Sequence, residues 1–241
     1  MISLRHISKS FSGNEVLTAI DLRVNAGETY SIIGPSGSGK STILKIINGL
    51  IEPDQGEVRV FDQKVDAKDS VELRRKIGFV LQQPALFPHL TVRENVEVVP
   101  KLLDWKAEQR KARTDELLDL LGLETESFAE RYPSELSGGQ QQRVGIARAL
   151  AADPDLILFD EPFSALDPIT RGDLQNEVLR LKEKFHKTTV FVTHDIREAF
   201  LLGDQVVVLN EGKIVQSGTP SEIEAAPAND FVKRFIETGD A

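Results

Sequence analysis

Cysteine is missing from this chain of 241 residues, and methionine and tryptophan each occur only once. The absence of cysteine excludes disulfides, thiolate zinc sites and a cysteine nucleophile. No stretch approaches the run of roughly 18 apolar residues that a transmembrane helix needs. The first residues also lack the apolar segment of a secretory signal, so we expect neither a membrane span nor a leader.

An excess of positive charge is missing as well. Lysine and arginine together number 29, and aspartate and glutamate 38, which gives a formal net charge of −9. This balance argues against sequence-independent binding to nucleic acid, because such binding depends on cations that neutralise phosphates. With 40% hydrophobic and 28% charged residues, the chain instead has the composition of an ordinary globular protein.

The pattern of apolar residues predicts an α/β fold. Period-two alternation, which is typical of strands buried on one face, predicts an N-terminal antiparallel β subdomain over residues 2–7, 16–24 and 56–61. Continuous apolar runs, which are typical of a mainly parallel sheet covered on both faces, occupy residues 156–159 and 189–192, and a short, mostly apolar run occupies residues 29–33.

The middle of the chain has a different character. Residues 107–121 are strong helix formers, and several prolines surround them. We expect a helical subdomain over about residues 85–150, inserted into the parallel core of a domain that covers residues 1–220. A short helical tail is expected over residues 221–241.

A glycine-rich loop follows the apolar run at residues 29–33. It matches the pattern G-x-x-x-x-G-K-[ST] and continues into a predicted helix. Its residues are Gly34, Pro35, Ser36, Gly37, Ser38, Gly39, Lys40, Ser41 and Thr42. In such a loop the backbone N–H groups and the helix N-terminus bind phosphates, the lysine reaches the terminal phosphates and the serine can ligate Mg²⁺. The loop predicts a nucleotide site but does not separate a transporter from a kinase or a GTPase.

Two carboxylates, Asp160 and Glu161, end the apolar run at residues 156–159. Because neighbouring side chains on a strand point in opposite directions, the two can have different roles. Asp160 can hold Mg²⁺, usually through water, and Glu161 can orient and deprotonate an attacking water molecule. The alternative is that both only cap the next helix or are solvated.

His194 and Gln82 each follow an apolar run. Ligands of open α/β sheets bind beyond the carboxyl ends of parallel strands, so both side chains are candidates for contact with a γ-phosphate. A purely structural role is the alternative for each of them.

The sequence LSGGQ, from Leu136 to Gln140, is a second candidate for anion binding. Ser137 is a good N-cap, and Gly138 and Gly139 allow a close approach of the backbone to a ligand. A helix from about residue 141 to residue 150 is expected to follow. An ordinary capped loop is the alternative interpretation.

Together these motifs resemble those of the ABC transporter ATPase family, whose signature is LSGGQ. The order of phosphate loop, glutamine, signature, catalytic strand, Ser164 to Asp167 and histidine is also that of the family. The resemblance covers about residues 2–220 and implies a P-loop NTPase core that hydrolyses ATP with Mg²⁺.

The resemblance implies a role for each catalytic residue. Lys40 and Ser41 are expected to bind phosphate and Mg²⁺. Asp160 and Gln82 are expected to support the ion, partly through water, and Glu161 is expected to be the general base.

It also implies a head-to-tail dimer of two such chains, or of this chain and a homologous ATPase subunit. The signature, Ser137 to Gln140, is expected to contact the ATP of the partner, with Asp167 at the dimer interface. His194 is expected to hold the γ-phosphate. Phe11 occupies the place of an aromatic residue that stacks on adenine, although it can equally be a residue at the edge of the core.

In this family, a chain without a membrane span implies a separate membrane permease. Residues 83–91 resemble the surface that receives a helix of the permease, and a proline-rich surface loop is the alternative. We therefore expect a peripheral protein on the cytoplasmic face of the cell membrane, whose further partner is an extracytoplasmic substrate-binding protein. Nucleic acid is not an expected partner.

A narrower resemblance concerns residues 217–223 and 227–232, which are similar to those in ATPases of bacterial importers for glycine betaine, choline and related osmoprotectants. The leading interpretation is thus an importer ATPase for such a solute. The alternatives are an importer for polar amino acids, sulfate or sugars, an exporter, and a mechanical ATPase of DNA repair, chromosome structure or translation.

Overall fold

Two stretches that are far apart in sequence form one unit of the computed structural model, which describes residues 1–66 and 70–239. This first unit comprises residues 1–74 and 187–241, and a second unit comprises residues 75–186.

Within the described residues, ten strands and ten α-helices follow one another. The strands are β1 (Ile2–Phe11), β2 (Asn14–Val24), β3 (Thr29–Ile33), β4 (Gln55–Val60), β5 (Gln63–Lys64), β6 (Ile77–Val80), β7 (Leu156–Asp160), β8 (Thr188–Thr193), β9 (Gln205–Asn210) and β10 (Lys213–Gly218). The helices are α1 (Lys40–Ile47), α2 (Val71–Arg75), α3 (Val92–Leu102), α4 (Ala107–Leu120), α5 (Thr125–Phe128), α6 (Gly138–Leu150), α7 (Pro168–Phe185), α8 (Ile196–Leu202), α9 (Pro220–Ala225) and α10 (Asp230–Gly239), with a 3₁₀ helix over Pro133–Glu135.

An antiparallel sheet in the first unit has the strand order β2-β1-β4-β5. Ile2 pairs with Val24 on one side and with Val60 on the other, and all three side chains are buried. The alternating polar residues face outward, because successive side chains of a strand point to opposite faces. The predicted N-terminal antiparallel β subdomain is confirmed.

A second sheet in the first unit contains β3, which pairs in parallel with both β8 and β9. All five residues of β3 are buried, as expected for a strand that is covered on both faces. The hairpin partner of β9 is β10, which runs antiparallel to it. The predicted α/β class with a mainly parallel core is confirmed.

The second unit combines the parallel pair β6 and β7 with the helices α3 to α7. No strand is found between residues 85 and 150, all of which the structure describes. The boundaries of the predicted helical insertion stay a prediction. Pro100 lies buried inside α3, where it lacks the N–H group that would bond to the carbonyl oxygen of residue 96, and the helix ends two residues later.

The helices α9 and α10 follow β10 and pack on the first unit. Val232 and Ile236 of α10 lie in one buried cluster with Ile223 of α9 and with Val206 and Val208 of β9. The side-chain amide of Gln216 fixes the connection between the two helices, since it donates to the carbonyl oxygen of Ala226 at 2.9 Å and accepts from the N–H of Ala228 at 2.8 Å.

Candidate active site

The phosphate loop connects β3 to α1, and its backbone lies against two neighbouring segments. A Cβ atom on Gly34 would lie 2.1 Å from the carbonyl oxygen of Leu209, at the end of β9. A Cβ atom on Gly39, whose φ is +104°, would lie 2.5 Å from a methyl group of Leu17 on β2. Gly37, in contrast, is open, with no atom within 4 Å of its added Cβ. The sequence predicts room for phosphates at both Gly37 and Gly39. The structure leaves space at Gly37, whereas Gly39, like Gly34, is in close contact with a neighbouring segment.

Polar groups of the loop are arranged to receive an anion. The buried ammonium of Lys40 donates to the carbonyl oxygens of Gly34 at 2.8 Å and Pro35 at 3.0 Å. The hydroxyl of Ser38 is buried and has no hydrogen-bond partner among the described residues. Gly39 is the N-cap of α1 and has no side chain that could satisfy the first N–H groups of the helix. These donors favour a phosphate at this position.

His194 lies at the same sheet edge as the loop. Ile33, the last residue of β3, pairs in parallel with Thr193, the last residue of β8. Gly34 and His194 therefore leave neighbouring strands at the same end, and His194 is exposed there. This is the edge at which open α/β sheets bind their ligands.

Residues on both sides of His194 hold its backbone. The hydroxyl of Thr193 donates to the buried carboxylate of Glu198 at 2.5 Å and accepts from the N–H of Asp195 at 3.0 Å. Asp195 also caps α8 by accepting from the N–H groups of Arg197 and Glu198. Asp195 and Glu198 were not predicted as functional residues, although an aspartate three residues before a glutamate is a known signal of a helix start.

Phe11 lies at the end of β1, beside the two-residue turn that leads into β2. Its ring is 42% exposed, and the ammonium of Lys9 lies 5.5 Å from the ring centroid. Because the first residues of β2 reach Gly39, Phe11 belongs to the hairpin end that touches the phosphate loop. Its contact with adenine stays a prediction.

In the second unit, Gln82 and the two carboxylates leave neighbouring strands at the same end, since Val80 of β6 pairs in parallel with Phe159 of β7. The side-chain amide of Gln82 donates to the hydroxyl of Ser164 at 3.1 Å. That hydroxyl in turn donates to the carbonyl oxygen of Glu161 at 3.0 Å.

Glu161 itself has a left-handed backbone conformation, with φ at +46°. This conformation is uncommon for a residue other than glycine, and such strained residues cluster at functional sites. This turn follows β7 directly, and both Asp160 and Glu161 are half-buried there.

The signature begins α6 instead of preceding it. Ser137 is the N-cap, because its hydroxyl accepts from the N–H of Gln140 at 3.3 Å while the side chain of Gln140 accepts from the N–H of Ser137 at 2.9 Å. This reciprocal capping box starts the helix at Gly138, three residues earlier than the predicted start.

The start of α7 packs against the signature. A Cβ atom on Gly139 would lie 2.5 Å from the methyl group of Thr170. Asp167 caps α7 by accepting from the N–H groups of Ile169 and Thr170, each at 3.1 Å. Next to it, the side chain of Ile169 is 79% exposed, the largest exposure among the big apolar side chains of the described residues.

The structure thus brings the predicted site residues together in three groups. The first unit contains the phosphate loop from Gly34 to Thr42 with His194 and Phe11. The second unit contains Gln82 with Asp160 and Glu161, and separately the signature from Ser137 to Gln140 with Asp167.

An apolar groove of about 340 Å³ lies in the second unit beside the segment of residues 82–91. It is lined by Arg75, Ile77, Gly78, Phe79, Leu81, Ala85, Phe87, Val98, Val99, Arg148, Ala149, Ala152 and Pro154. The segment is fixed by Asn95 of α3, a fully buried amide that accepts from the N–H of Phe87 and donates to three carbonyl oxygens of the segment. Asn95 was not predicted as a functional residue, because no motif of the sequence marks it.

Comparison with known proteins identifies relatives of this chain. Residues 17–164 match the family model of the ABC transporter. The choline transport ATP-binding protein OpuBA of Bacillus subtilis is 52% identical over 98% of this chain and 62% of that protein. The glycine betaine uptake system ATP-binding protein YehX of Escherichia coli is 48% identical over 98% of this chain and 76% of that protein.

A dimeric structure of the ATP-binding cassette MJ0796, in a post-hydrolysis state bound to ADP and Pi, is similar to the whole fold. The TM-score is 0.82 at 41% sequence identity, and the match covers 91% of this chain and 99% of the other. Of the two relatives named above, OpuBA is the longer one, and this chain spans less than two thirds of its length.

The contact between Gly139 and Thr170 predicts a compensating pair of substitutions. Gly139→Ala should lower the free energy of unfolding by about 1–3 kcal/mol, because its Cβ overlaps the Thr170 methyl group. Thr170→Ser removes that methyl group and keeps the hydroxyl, so it should restore most of the loss in the double variant. Urea unfolding measures both values.

Gly138→Ala is the matched control, since the space around its added Cβ is empty. It should unfold within about 0.5 kcal/mol of the wild type. Equal losses in the two alanine variants, or no gain from Thr170→Ser, would contradict the proposed packing.

The lowered pKa of Asp167 predicts that the stability of the protein depends on pH. Hydrogen bonds from Thr170, first from its hydroxyl and then from its N–H, lower the pKa of Asp167 below its ordinary value. A lowered pKa in the folded state contributes stability above the unfolded pKa, about 3.9, and the contribution is lost as the pH falls through the folded value. The stability difference between wild type and Asp167→Ala should therefore be constant near neutrality and shrink below about pH 4. A difference that grows on acidification, in denaturant unfolding at a series of pH values, would show that the carboxylate is not stabilised in this way.

Proposed function

The chain belongs to the ABC transporter family, and from that premise we propose that it is the ATP-hydrolysing subunit of an importer. The solute is a small quaternary amine such as glycine betaine or choline, which passes through a separate membrane permease. The observation that carries the proposal is the phosphate loop, in which Lys40 is buried and the Ser38 hydroxyl has no partner among the described residues. The relatives of the chain are named for choline transport and glycine betaine uptake.

ATP binds with its phosphates over Gly37, where the loop is open. The N–H groups at the start of α1 and the hydroxyl of Ser38 donate to the phosphate oxygens. The ammonium of Lys40 exchanges its two backbone carbonyl acceptors for the β- and γ-phosphates, which are stronger acceptors because they are charged. The exposed ring of Phe11 stacks on adenine.

As the family resemblance implies, Ser41, Gln82 and Asp160 would each offer an oxygen atom to Mg²⁺, directly or through water, because this ion prefers oxygen ligands and keeps several waters. Among residues 1–66 and 70–239, no group of three or more histidine, cysteine, aspartate or glutamate side chains could hold a metal ion. Mg²⁺ is commonly held by one or two carboxylates together with phosphate oxygens and water. When bound, the ion neutralises charge on the phosphates.

Hydrolysis uses Glu161 as the general base. The oxygen of a water molecule bonds to the γ-phosphorus, the bond from that phosphorus to the bridging oxygen breaks, ADP leaves with the electron pair, and the Glu161 carboxylate accepts the proton of the water. The imidazole of His194 donates a hydrogen bond to the γ-phosphate. Gln82 positions the water, and its bond to the Ser164 hydroxyl links it to the Glu161 backbone.

Two chains, or this chain and a homologous subunit, associate head to tail around ATP. The N–H groups at the start of α6, next to Ser137, bind the γ-phosphate held by the partner. Asp167 and the exposed Ile169 lie beside the signature on the same surface, and burial of Ile169 against the partner stabilises the dimer. Hydrolysis removes the bridging phosphate and reopens the dimer.

The apolar groove beside residues 82–91 receives a helix of the permease, because an apolar groove can bind the apolar face of an amphipathic helix. Among the described residues, no helix is both long and apolar enough to cross a membrane. The subunit is held peripherally on the cytoplasmic face of the membrane by the permease, and an extracytoplasmic binding protein delivers the solute.

Glu161→Gln tests the catalytic assignment. The variant should bind ATP, lose about 10²–10⁴ in turnover because the amide cannot accept the proton, and accumulate as a dimer in the presence of ATP. Phosphate release and size-exclusion chromatography measure the two effects. Glu183→Gln, at an exposed position of α7, should keep the wild-type rate.

Lys40→Ala in the Glu161→Gln background separates binding from chemistry. This double variant should bind ATP weakly and stay monomeric. Wild-type turnover in Glu161→Gln would assign the base to another group, and a dimer that forms with Lys40→Ala would remove the phosphate-loop assignment.

Purification from native membranes tests the transport role. The full chain is tagged, mild detergent is used, and the proteins that copurify are identified and titrated with glycine betaine, choline, sulfate and amino acids. A permease together with a binding protein that takes up a quaternary amine is the expected result. A binding protein specific for another solute, a permease alone, or recovery without any membrane protein would point respectively to another importer, an exporter, or a mechanical ATPase.

A further inference from the structure

The helix that carries the signature also holds the backbone of the segment that follows β6. The buried amide of Gln142 donates to the carbonyl oxygen of Leu81 at 3.2 Å. Six residues further along α6, the guanidinium of Arg148 donates to the carbonyl oxygens of Pro84 at 2.6 Å and Ala85 at 2.9 Å. The acceptors lie on both sides of the catalytic glutamine, so α6 holds that residue's backbone at two points.

The helix α6 also contacts this segment between the two polar side chains. Gly145, between the two polar side chains, lies against Pro84, and a Cβ atom on Gly145 would be 3.5 Å from the Cβ of Pro84. Burial lowers the pKa of the Arg148 guanidinium from its ordinary value. A charge that has lost water needs strong acceptors, and the two carbonyl oxygens supply them.

Arg148 also lines the apolar groove. Its guanidinium carbon lies 6.0 Å from the ring centroid of Phe87, which is exposed at the groove. One side chain therefore touches the surface proposed for the permease and the backbone next to Gln82, and it belongs to the helix whose other end is the signature.

We propose that Gln142 and Arg148 are positioning residues that make the segment of residues 81–87 and the signature end of α6 move as one body. A 13-residue helix is stiff, and attachment at two points prevents the segment from sliding or turning on it. Occupation of the groove and engagement of the signature thereby bias each other, because coupling between two sites is reciprocal. The inference rests on the proposed function, in which the signature binds the ATP of a partner chain.

Hydrogen exchange of the full chain tests this coupling without the permease. In Glu161→Gln, formation of the ATP dimer should slow exchange of the amides in residues 83–91 by about fivefold or more relative to the ADP-bound monomer. With Arg148→Ala added, the dimer should still form, and the slowing in residues 83–91 should fall below about twofold while α6 keeps its own protection.

Arg143→Ala is the matched control on the same helix. Arg143 donates to the carbonyl oxygen of Leu121 at 2.7 Å and to the carboxylate of Glu177 at 2.5 Å. The substitution therefore removes about as many hydrogen bonds as Arg148→Ala, but none of them involves residues 81–87. It should leave the ATP-dependent slowing intact. Two substitute variants serve if Arg148→Ala does not fold. Gln142→Leu removes only the attachment at Leu81, and Arg148→Lys keeps the positive charge but replaces the guanidinium by a single ammonium. Each should slow amide exchange in residues 83–91 by an intermediate factor.

The outcomes separate the coupling from the proposed function. Full slowing in Arg148→Ala, or in both substitute variants, would overturn the inference. Equal loss in Arg143→Ala would overturn it too, because the effect would then be general weakening of α6. Failure of Glu161→Gln itself to dimerise with ATP would contradict the proposed function, on which the coupling depends.

Discussion

The phosphate loop is fixed by two contacts in which the protein leaves no space for a side chain. At Gly34 the backbone touches the end of β9, and at Gly39 it touches the start of β2. The first contact belongs to the parallel sheet and the second to the antiparallel sheet, so both sheets of the first unit shape the loop. Because these contacts hold the loop, Lys40 lies buried under it, Gly37 stays open, and the N-terminus of α1 points into the same space. The positions of His194 and Phe11 follow from the same arrangement of strands.

In the second unit, α6 has the corresponding organising role. Its first residues form the signature through a capping box, its middle lies against Pro84, and its last turns hold carbonyl oxygens beside the groove. Gln82 and Glu161, the proposed catalytic residues of this unit, lie directly after neighbouring parallel strands. A stiff helix and two short strands thus position groups that would be poorly defined on independent loops.

The sequence alone was sufficient where local chemistry decides the structure. β3 has the predicted bounds because its short, mostly apolar run lies between turn residues that limit the strand on both sides. The phosphate loop was predicted from its local sequence pattern. The start of α6 was placed too late, because two glycines conceal a helix that a capping box begins. Asn95 and Arg148 were not identified, since their acceptors are backbone carbonyls that carry no sequence signal. The contact of Gly34 with Leu209 joins residues far apart in the chain, and only the folded structure reveals that packing requires this glycine.

In the proposed head-to-tail dimer, each active site combines the phosphate loop of one chain with the signature of another. Mixing two inactive variants tests it most directly: Lys40→Ala, which lacks the phosphate contact, and Ser137→Arg, which blocks the signature. Each variant is first confirmed to be folded and inactive alone. A head-to-tail dimer predicts that the mixture regains ATPase activity, because a mixed dimer contains one site with both an intact loop and an intact signature. A mixture of the two folded variants that stays inactive would contradict the shared site.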